Sequence, residues 1–175
     1  MDVSLNSIKE LRERTQVSIS DCRKALIESK GDLKKAEGFL KDRMKEIAAK
    51  KTDRVTFQGR IETYVHFDNK IGVLVEANSE TDFVAKNEGF IRFTKDIALH
   101  IAAIGPTYIK REDVPKEIIE KETEKEEYYK KNCLLEQPFV KDPSLIIKDY
   151  LLDLIGKTGE NIIIRRFVRF QLGKD

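Results

Sequence analysis

Residues 60–77 read RIETYVHFDNKIGVLVEA, and this stretch decides the fold class because its apolar side chains recur at every second position. A polar turn, Asp68-Asn69-Lys70, separates the first run from the second, IGVLVEA. One face of the first run carries Ile61, Thr63, Val65 and Phe67. A two-residue period on both sides of a polar turn predicts an antiparallel β-hairpin.

The residues before the hairpin have a helical period instead. Residues 4–50 contain three short apolar stripes with spacings of three and four, behind candidate N-caps at Ser4 and Asp32 and a stop at Lys30-Gly31. Three such stripes predict three helices that close one small core. The polar, aperiodic residues that follow predict these boundaries: a helical head at 1–50, a linker at 51–57 and a core domain at 58–175.

The residues after the hairpin return to a helical period and then end in a strand. Ser79, Thr81 and Asp82 are candidate N-caps ahead of an amphipathic helix that should pack on the hairpin. The apolar face of this helix carries Phe93, Ile97, Ile101 and Ile104. Residues 161–172, NIIIRRFVRFQL, alternate as a strand does. Helices, a hairpin, helices and a strand predict an α+β fold.

Two segments between these elements differ in polarity. Residues 110–131 are mostly charged and predict a helix that buries little of its own surface. Residues 145–155, LIIKDYLLDLI, are apolar on most sides, so we expect the core or a partner to cover them.

Composition limits the possible functions. The chain has 33 basic and 31 acidic residues, and a net charge of +2 does not draw it onto a polyanion. Two cysteines and two histidines lack the spacing of a zinc site or a disulfide framework, so we expect no metal and no cofactor. No apolar stretch is long enough for a signal peptide or a membrane span, which predicts a cytoplasmic protein without membrane contact.

No combination of residues predicts an enzyme. Cys22 lies on an apolar helical stripe without a histidine nearby in sequence, which is typical of a buried cysteine rather than a nucleophile. His66 and His100 are predicted to be a solvated strand residue and a residue on the flank of a helix. The glycines match neither a P-loop nor a dinucleotide-binding fingerprint.

Two segments have both a structural and a functional interpretation. Residues 165–170, RRFVRF, alternate cations and aromatics as a platform for single-stranded RNA does, although a half-buried strand with flanking arginines is favoured. The alternation assigns Arg165, Phe167 and Arg169 to one face, and Ile164, Arg166, Val168 and Phe170 to the other. Residues 81–87, TDFVAKN, fit either a capped turn with a hydrophobic anchor or an exposed interface hot spot.

Four segments together resemble a known family. The string ETDFVAKNEGF (80–90) resembles the signature of elongation factor Ts, and IKELRERT followed by DCRKAL resembles the signature of that family's N-terminal domain. CLLEQPFVKD and GENIIIRRFVRF are similar to later segments of the family, in the same order.

The resemblance implies a binding site for elongation factor Tu. It implies that the head is a UBA-like three-helix domain that binds the GTP-binding domain of Tu through Arg12, Ile19, Ser20 and Arg23. It also implies that Asp82 and Phe83 enter Tu near its magnesium and nucleotide site, as part of a contact made by Thr81, Asp82, Phe83 and Val84. The chain departs from the family pattern in one loop. Gln16 and Ser18 replace the usual glycines, and Ile19 and Ser20 replace the usual methionine pair.

The resemblance further implies what the protein does. A family member of this kind is a guanine-nucleotide exchange factor that promotes GDP release from Tu and makes no covalent bond. Because the chain has sequence for one core module only, the resemblance also implies a homodimer joined through residues from Cys133 onward, with or without a disulfide through Cys133. No direct contact with nucleic acid is expected.

Two other classes of function remain open. A UBA-like adaptor for a different protein would bind without affecting GDP release. An RNA-binding protein that used the RRFVRF strand would lose affinity steeply with salt and on changing Arg165 and Arg169.

Overall fold

The computed structural model of the chain describes residues 3–15 and 17–174. The helices, in chain order, are α1 (Leu5–Thr15), α2 (Ile19–Glu28), α3 (Leu33–Ala49), α4 (Asp82–Ala85), α5 (Glu88–Ile104), α6 (Lys116–Ile119), α7 (Lys125–Asn132) and α8 (Ile147–Thr158). The strands are β1 (Gln58–Val65), β2 (Ile71–Ser79), β3 (Pro138–Phe139), β4 (Asp142–Ile146) and β5 (Ile162–Gln171). Short 3₁₀ helices lie at Arg111–Asp113 and Leu134–Glu136. The predicted α+β fold is confirmed.

Local hydrogen bonds explain where α2 begins and ends and where α3 begins. The side chains of Ser18 and Asp32 accept the backbone N–H groups of the first turns of α2 and α3. Gly31 takes a left-handed φ of 86°, and its N–H bonds to the carbonyl of Leu26, which ends α2. The apolar stripes meet in one cluster: Ile8, Leu11, Val17, Cys22, Ala25, Leu26, Ala36, Leu40 and Met44.

The hairpin and the last strand form one antiparallel sheet in the order β1-β2-β5. Asn69 takes the left-handed φ of 57° that the predicted turn requires. Helix α5 packs on β1 and β2, as predicted, and buries Phe93, Ile97 and Ile101 against them. Ile104, predicted on the same face, is instead exposed because the helix ends at this residue.

A β-bulge corrects the predicted faces of the last strand. Glu76 of β2 pairs with Arg166, whereas the next residue of β2, Ala77, pairs with Ile164. Arg165 is therefore the extra residue, and the inward-facing positions shift by one beyond it. As a result Ile164 is buried on the same side of the sheet as Phe167, whereas strict alternation had placed them on opposite faces.

The charged segment at 110–131 is not the single helix that its composition suggested. It contains a 3₁₀ turn, the one-turn helix α6 and then α7, because Pro115 has no backbone N–H and disfavours helix in the residue before it. Arg111 connects the first 3₁₀ helix to α7 and to the second 3₁₀ helix. Its guanidinium bonds to the carboxylates of Glu126 and Glu136 at 2.7–3.0 Å and lies 4.8 Å from the centre of the Tyr129 ring.

The chain's own core covers most of the apolar segment at 145–155, although Ile146 stays 43% exposed. Its first two residues end β4, and α8 buries Ile147, Leu151, Leu154 and Ile155. Cys133 is also fully buried and unpaired, and burial raises the pKa of its thiol to about 11. A disulfide to a second copy needs an accessible sulfur, so this environment does not favour one.

Helix α3 takes part in both hydrophobic clusters. Met44 belongs to the cluster of the helical head, and Ala48, one turn later, belongs to the cluster of the core. Helix α3 also packs along α8, with Met44 against Gly156. The predicted boundary after residue 50 therefore follows a helix that is already in contact with the core.

His100 is buried, and this corrects its predicted position on the flank of a helix. Its Nδ1 accepts the backbone N–H of Val140 at 3.2 Å, and its Nε2 lies 3.0 Å from Oε1 of Gln137. An Nδ1 that accepts a bond carries no proton, so the imidazole is neutral and donates from Nε2. Burial lowers its pKa from the ordinary value of 6.5.

We expect acid to destabilise the fold through this histidine. Below pH 6.5 the unfolded chain binds a proton at His100 that the folded chain does not. As the pH falls below 6.5, this site therefore lowers the free energy of unfolding by up to about 1.4 kcal/mol per pH unit. Urea unfolding midpoints from about pH 5 to about pH 7.5 measure the slope. His100→Gln, which cannot bind this proton, should flatten it. Equal slopes in the variant and the wild type would contradict this explanation.

Candidate functional site

A short corner connects the end of β2 to the long helix α5, and consecutive side-chain caps build it. The Ser79 hydroxyl donates to the Thr81 carbonyl at 2.9 Å, and the Thr81 hydroxyl accepts the N–H of Val84 at 3.5 Å. One turn later Asn87 accepts the N–H of Gly89 at 2.8 Å and starts α5. Residues 79–87 therefore enclose the one-turn helix α4, and we call this segment the corner.

The corner turns one side chain inward and another outward. Ala85 is buried in the core cluster and Val84 packs against it. Phe83 has 82% of its surface exposed, although it is the largest apolar side chain of the turn. An exposed aromatic on an anchored turn is typical of an interface hot spot. The interpretation of Phe83 as a buried hydrophobic anchor is therefore wrong, and Val84 and Ala85 anchor the turn instead.

A carboxylate lies beside the exposed ring. Asp82 forms an ion pair with Lys86, with 2.7 Å between Oδ2 and Nζ, and this contact lowers the pKa of the Asp82 carboxyl. Both side chains are exposed, so the pair adds little to stability. It does keep a negative charge next to Phe83 at neutral pH.

Glu160 supports the corner, and the sequence analysis did not single it out. One carboxylate oxygen accepts the N–H of Thr81 at 3.0 Å, and the other accepts its hydroxyl at 2.6 Å. The two residues are 79 positions apart. The only signal for Glu160 in the sequence was its place in the string GENIIIRRFVRF.

The predicted binding residues of the head lie on its surface. Arg12 is exposed in the last turns of α1, and Ile19, Ser20 and Arg23 are exposed in the first turns of α2, with Ile19 at 56%. Ser18 donates its hydroxyl to the Asp21 carboxylate at 2.7 Å while capping α2. The other substituted position of this loop, Gln16, lies outside the described residues.

The sheet has an apolar surface on the side that faces away from α5, which we call the outer face. Cross-strand neighbours there form the rows Val65–Gly72–Phe170, Thr63–Leu74–Val168 and Ile61–Glu76–Arg166. The exposed side chains of these rows are Ile61, Thr63, Val65, Leu74, Arg166, Val168 and Phe170. Most of them are apolar, although antiparallel sheets normally present polar side chains to water.

The arginines of the last strand have acceptors within the chain. Arg165 and Arg166 reach the Glu76 carboxylate at 3.6 and 2.7 Å, and Arg169 donates to the Ala102 carbonyl at 3.1 and 3.3 Å. Phe167 packs against the core, which leaves Phe170 as the exposed ring of this segment. A half-buried strand accounts for these contacts without RNA.

Neither a metal site nor a membrane helix is found in residues 3–15 and 17–174. No group of three or more His, Cys, Asp or Glu side chains there is arranged to hold a metal ion. None of the helices formed by these residues is long and apolar enough to cross a bilayer.

Comparison with known proteins finds matches of this chain to one family. The family model described as elongation factor TS matches residues 6–127. The chain is 45% identical to elongation factor Ts of Caldanaerobacter subterraneus subsp. tengcongensis, over 98% of each chain. It is 46% identical to that of Carboxydothermus hydrogenoformans, covering 98% of this chain and 90% of the relative. For that of Acetivibrio thermocellus the identity is 47%, over 98% and 91%.

Proposed function

This chain belongs to the elongation factor Ts family of translation elongation factors, and we propose that it is the guanine-nucleotide exchange factor for elongation factor Tu. The observation that carries the proposal is the exposed Phe83 beside a charged Asp82 on an anchored corner. We further propose that the factor acts in the cytoplasm, where translation takes place.

The mechanism follows from how Tu holds its nucleotide. GDP is bound through its phosphates and through a magnesium ion that requires near-octahedral coordination. Phe83 and Asp82 enter Tu next to this site and displace groups that support the ion. A protein that binds nucleotide-free Tu more tightly than Tu–GDP must weaken GDP by the same factor. A coupling of about 3 kcal/mol corresponds to about 150-fold weaker GDP, and no covalent bond changes.

The helical head supplies a second contact in this proposal. Residues 1–50 bind the GTP-binding domain of Tu through Arg12, Ile19, Ser20 and Arg23, and residues 51–57 link this head to the core at 58–175. The exposure of all four side chains supports the contact. Isoleucine at position 19 still offers an apolar group to Tu, although the usual methionine pair is replaced.

The experiment that tests the function is direct. Tu loaded with a fluorescent GDP analogue is mixed with increasing amounts of this protein, and nucleotide release is followed by stopped flow. We expect the release rate to rise with concentration and then saturate. If binding is detected and the release rate stays at its intrinsic value, the adaptor interpretation replaces exchange.

We also propose that the outer face of the sheet joins two copies of the chain in a homodimer. Two such sheets can pack face to face at about 10 Å and bury their apolar rows, as the sheets of a β-sandwich do. This face includes β5, within the region from Cys133 onward that was expected to form the interface. The apolar segment at 145–155 is mostly covered inside each subunit, through Ile147, Leu151, Leu154 and Ile155, and lies outside the proposed contact.

Truncating the centre of this face should weaken the dimer. Leu74 lies in the middle row and is 43% exposed. We expect Leu74→Ala to raise the dimer dissociation constant about tenfold, as loss of a central apolar contact does. Sedimentation equilibrium measures the constant. Leu5→Ala is the matched control because Leu5 is an exposed leucine on α1, away from the sheet. A monomeric wild type, or equal effects of both changes, would contradict the proposed interface.

A further inference from the structure

Three segments that are distant in sequence meet behind the corner. Residues 51–54 follow α3, residues 79–81 begin the corner, and residues 159–161 connect α8 to β5. The Lys51 ammonium donates to the carbonyl of Gly159, and the Asn161 side-chain amide donates to the carbonyls of Thr52 and Arg54 at 3.3 and 2.8 Å. We call these three segments together the junction.

Two carboxylates complete the junction. Glu80 accepts the backbone N–H of Asn161 at 2.6 Å and pairs with Arg54 at 3.4 Å, so it connects the corner to both other segments. Glu160 accepts the N–H and the hydroxyl of Thr81. Bonds to an ionised acceptor are stronger than neutral ones, and two of them to one residue fix its orientation as well as its distance.

The junction connects the two surfaces that the proposed function assigns to Tu. On one side it holds Thr81, the N-cap of α4, two residues before Phe83. On the other side it holds the first residues after α3, the last helix of the head. Gly159, with a left-handed φ of 73°, ends α8 and sets the direction in which Glu160 leaves that helix. The head, α8 and the corner are therefore connected through one set of hydrogen bonds.

We propose that Glu160 is a positioning residue: it holds Thr81 and the corner in the orientation that lets Phe83 contact Tu while the head is also bound. This inference rests on the proposed exchange function. Glu160 itself does not need to touch Tu or the nucleotide. Its effect is transmitted through Thr81 to Phe83.

The test compares Glu160→Gln alone and combined with Phe83→Ala. Glutamine keeps the size of the side chain but removes its charge and one of its two acceptors. We expect the maximal GDP-release rate at saturating factor to fall about tenfold, the equivalent of one charge-assisted hydrogen bond. In the Phe83→Ala background the same change should have less than about a twofold effect, because interacting residues are not additive. A purely structural role would lower the rate by the same factor in both backgrounds.

Glu136→Gln is the matched control. Glu136 is a half-buried carboxylate bonded to Arg111 in a different part of the chain, and its loss should leave the release rate unchanged. In the free protein, amide hydrogen exchange at Thr81 and Phe83 should be faster in Glu160→Gln and unchanged in Glu136→Gln. If Glu160→Gln does not fold, Glu160→Asp keeps the charge but shortens the side chain that reaches Thr81, and it should also lower the maximal rate.

The outcomes separate this inference from the proposed function. If the wild type accelerates release, Phe83→Ala loses that acceleration and Glu160→Gln is non-additive with it, the positioning role holds. If Glu160→Gln releases GDP as fast as the wild type, or adds fully to Phe83→Ala, the positioning role is overturned and the exchange function stands. If the wild type does not accelerate release, both are overturned.

Discussion

Phe83→Ala should reduce the acceleration of GDP release from elongation factor Tu by about 100-fold, which corresponds to about 2.7 kcal/mol of binding energy in the exchange complex. The ring is 82% exposed in the free protein, so its truncation removes almost no internal packing. Any large effect must therefore arise in the complex. By linkage, the variant should also bind nucleotide-free Tu more weakly.

Stopped-flow release of a fluorescent GDP analogue measures this effect at several factor concentrations. Phe67→Ala is the matched control because Phe67 is 87% exposed and follows β1 at the other end of the hairpin from Ser79. It should release GDP at the wild-type rate. Both variants should unfold at the wild-type urea concentration. A retained rate in Phe83→Ala, or an equal loss in Phe67→Ala, would remove Phe83 from the mechanism.

Gly156→Ala should lower the free energy of unfolding by about 2 kcal/mol, as expected for overpacking at a close helix contact. A Cβ at this position would lie 2.5 Å from Cβ and 2.6 Å from Cγ of Met44, atoms too close to the α3 backbone to swing aside. Helices α3 and α8 would have to separate. Alanine also favours a helix over glycine by about 1 kcal/mol, so the overlap must outweigh that gain.

Gly38→Ala isolates the gain in helix propensity. Gly38 lies in α3, and apart from its chain neighbours and the backbone of its own helix no atom lies within 4 Å of an added Cβ. The same substitution there should raise the free energy of unfolding by about 0.7 kcal/mol. Urea unfolding measures both changes. Stabilisation by Gly156→Ala would show that the head is not held against α8 by this contact.

The sequence predicted the elements whose signals are local. The cap of α3, the stop at Gly31 and the turn at Asn69 each depend on one or two residues acting on their neighbours in the chain. The candidate corner was likewise recognisable, because its capping residues and its aromatic lie within nine positions. Periodicity was sufficient for the three-helix head, the hairpin, α5 and the last strand, and hence for the α+β class, but it did not predict β3 and β4.

The tertiary structure decided which side of each element is covered. Period-two alternation separates the two faces of β1, but only the position of α5 shows that Ile61 and Val65 face away from the core. The bulge at Arg165 changes the faces of β5 because a neighbouring strand sets the register, which the alternation within β5 cannot reveal. The sequence could not show that His100 is buried, because its hydrogen-bond partners Gln137 and Val140 come from a distant segment.

At the functional site, the contacts of Glu160 could not be predicted from the sequence either. The sequence by itself determined the corner and, through its resemblance to a family, the expectation that Phe83 contacts Tu. Only the fold brought Glu160 to Thr81 and Asn161 to the residues that follow α3. Hydrogen bonds between residues 79 to 109 positions apart leave no periodic or local signal. They exist only once α8 and β5 have packed and carried the loop between them to the end of β2.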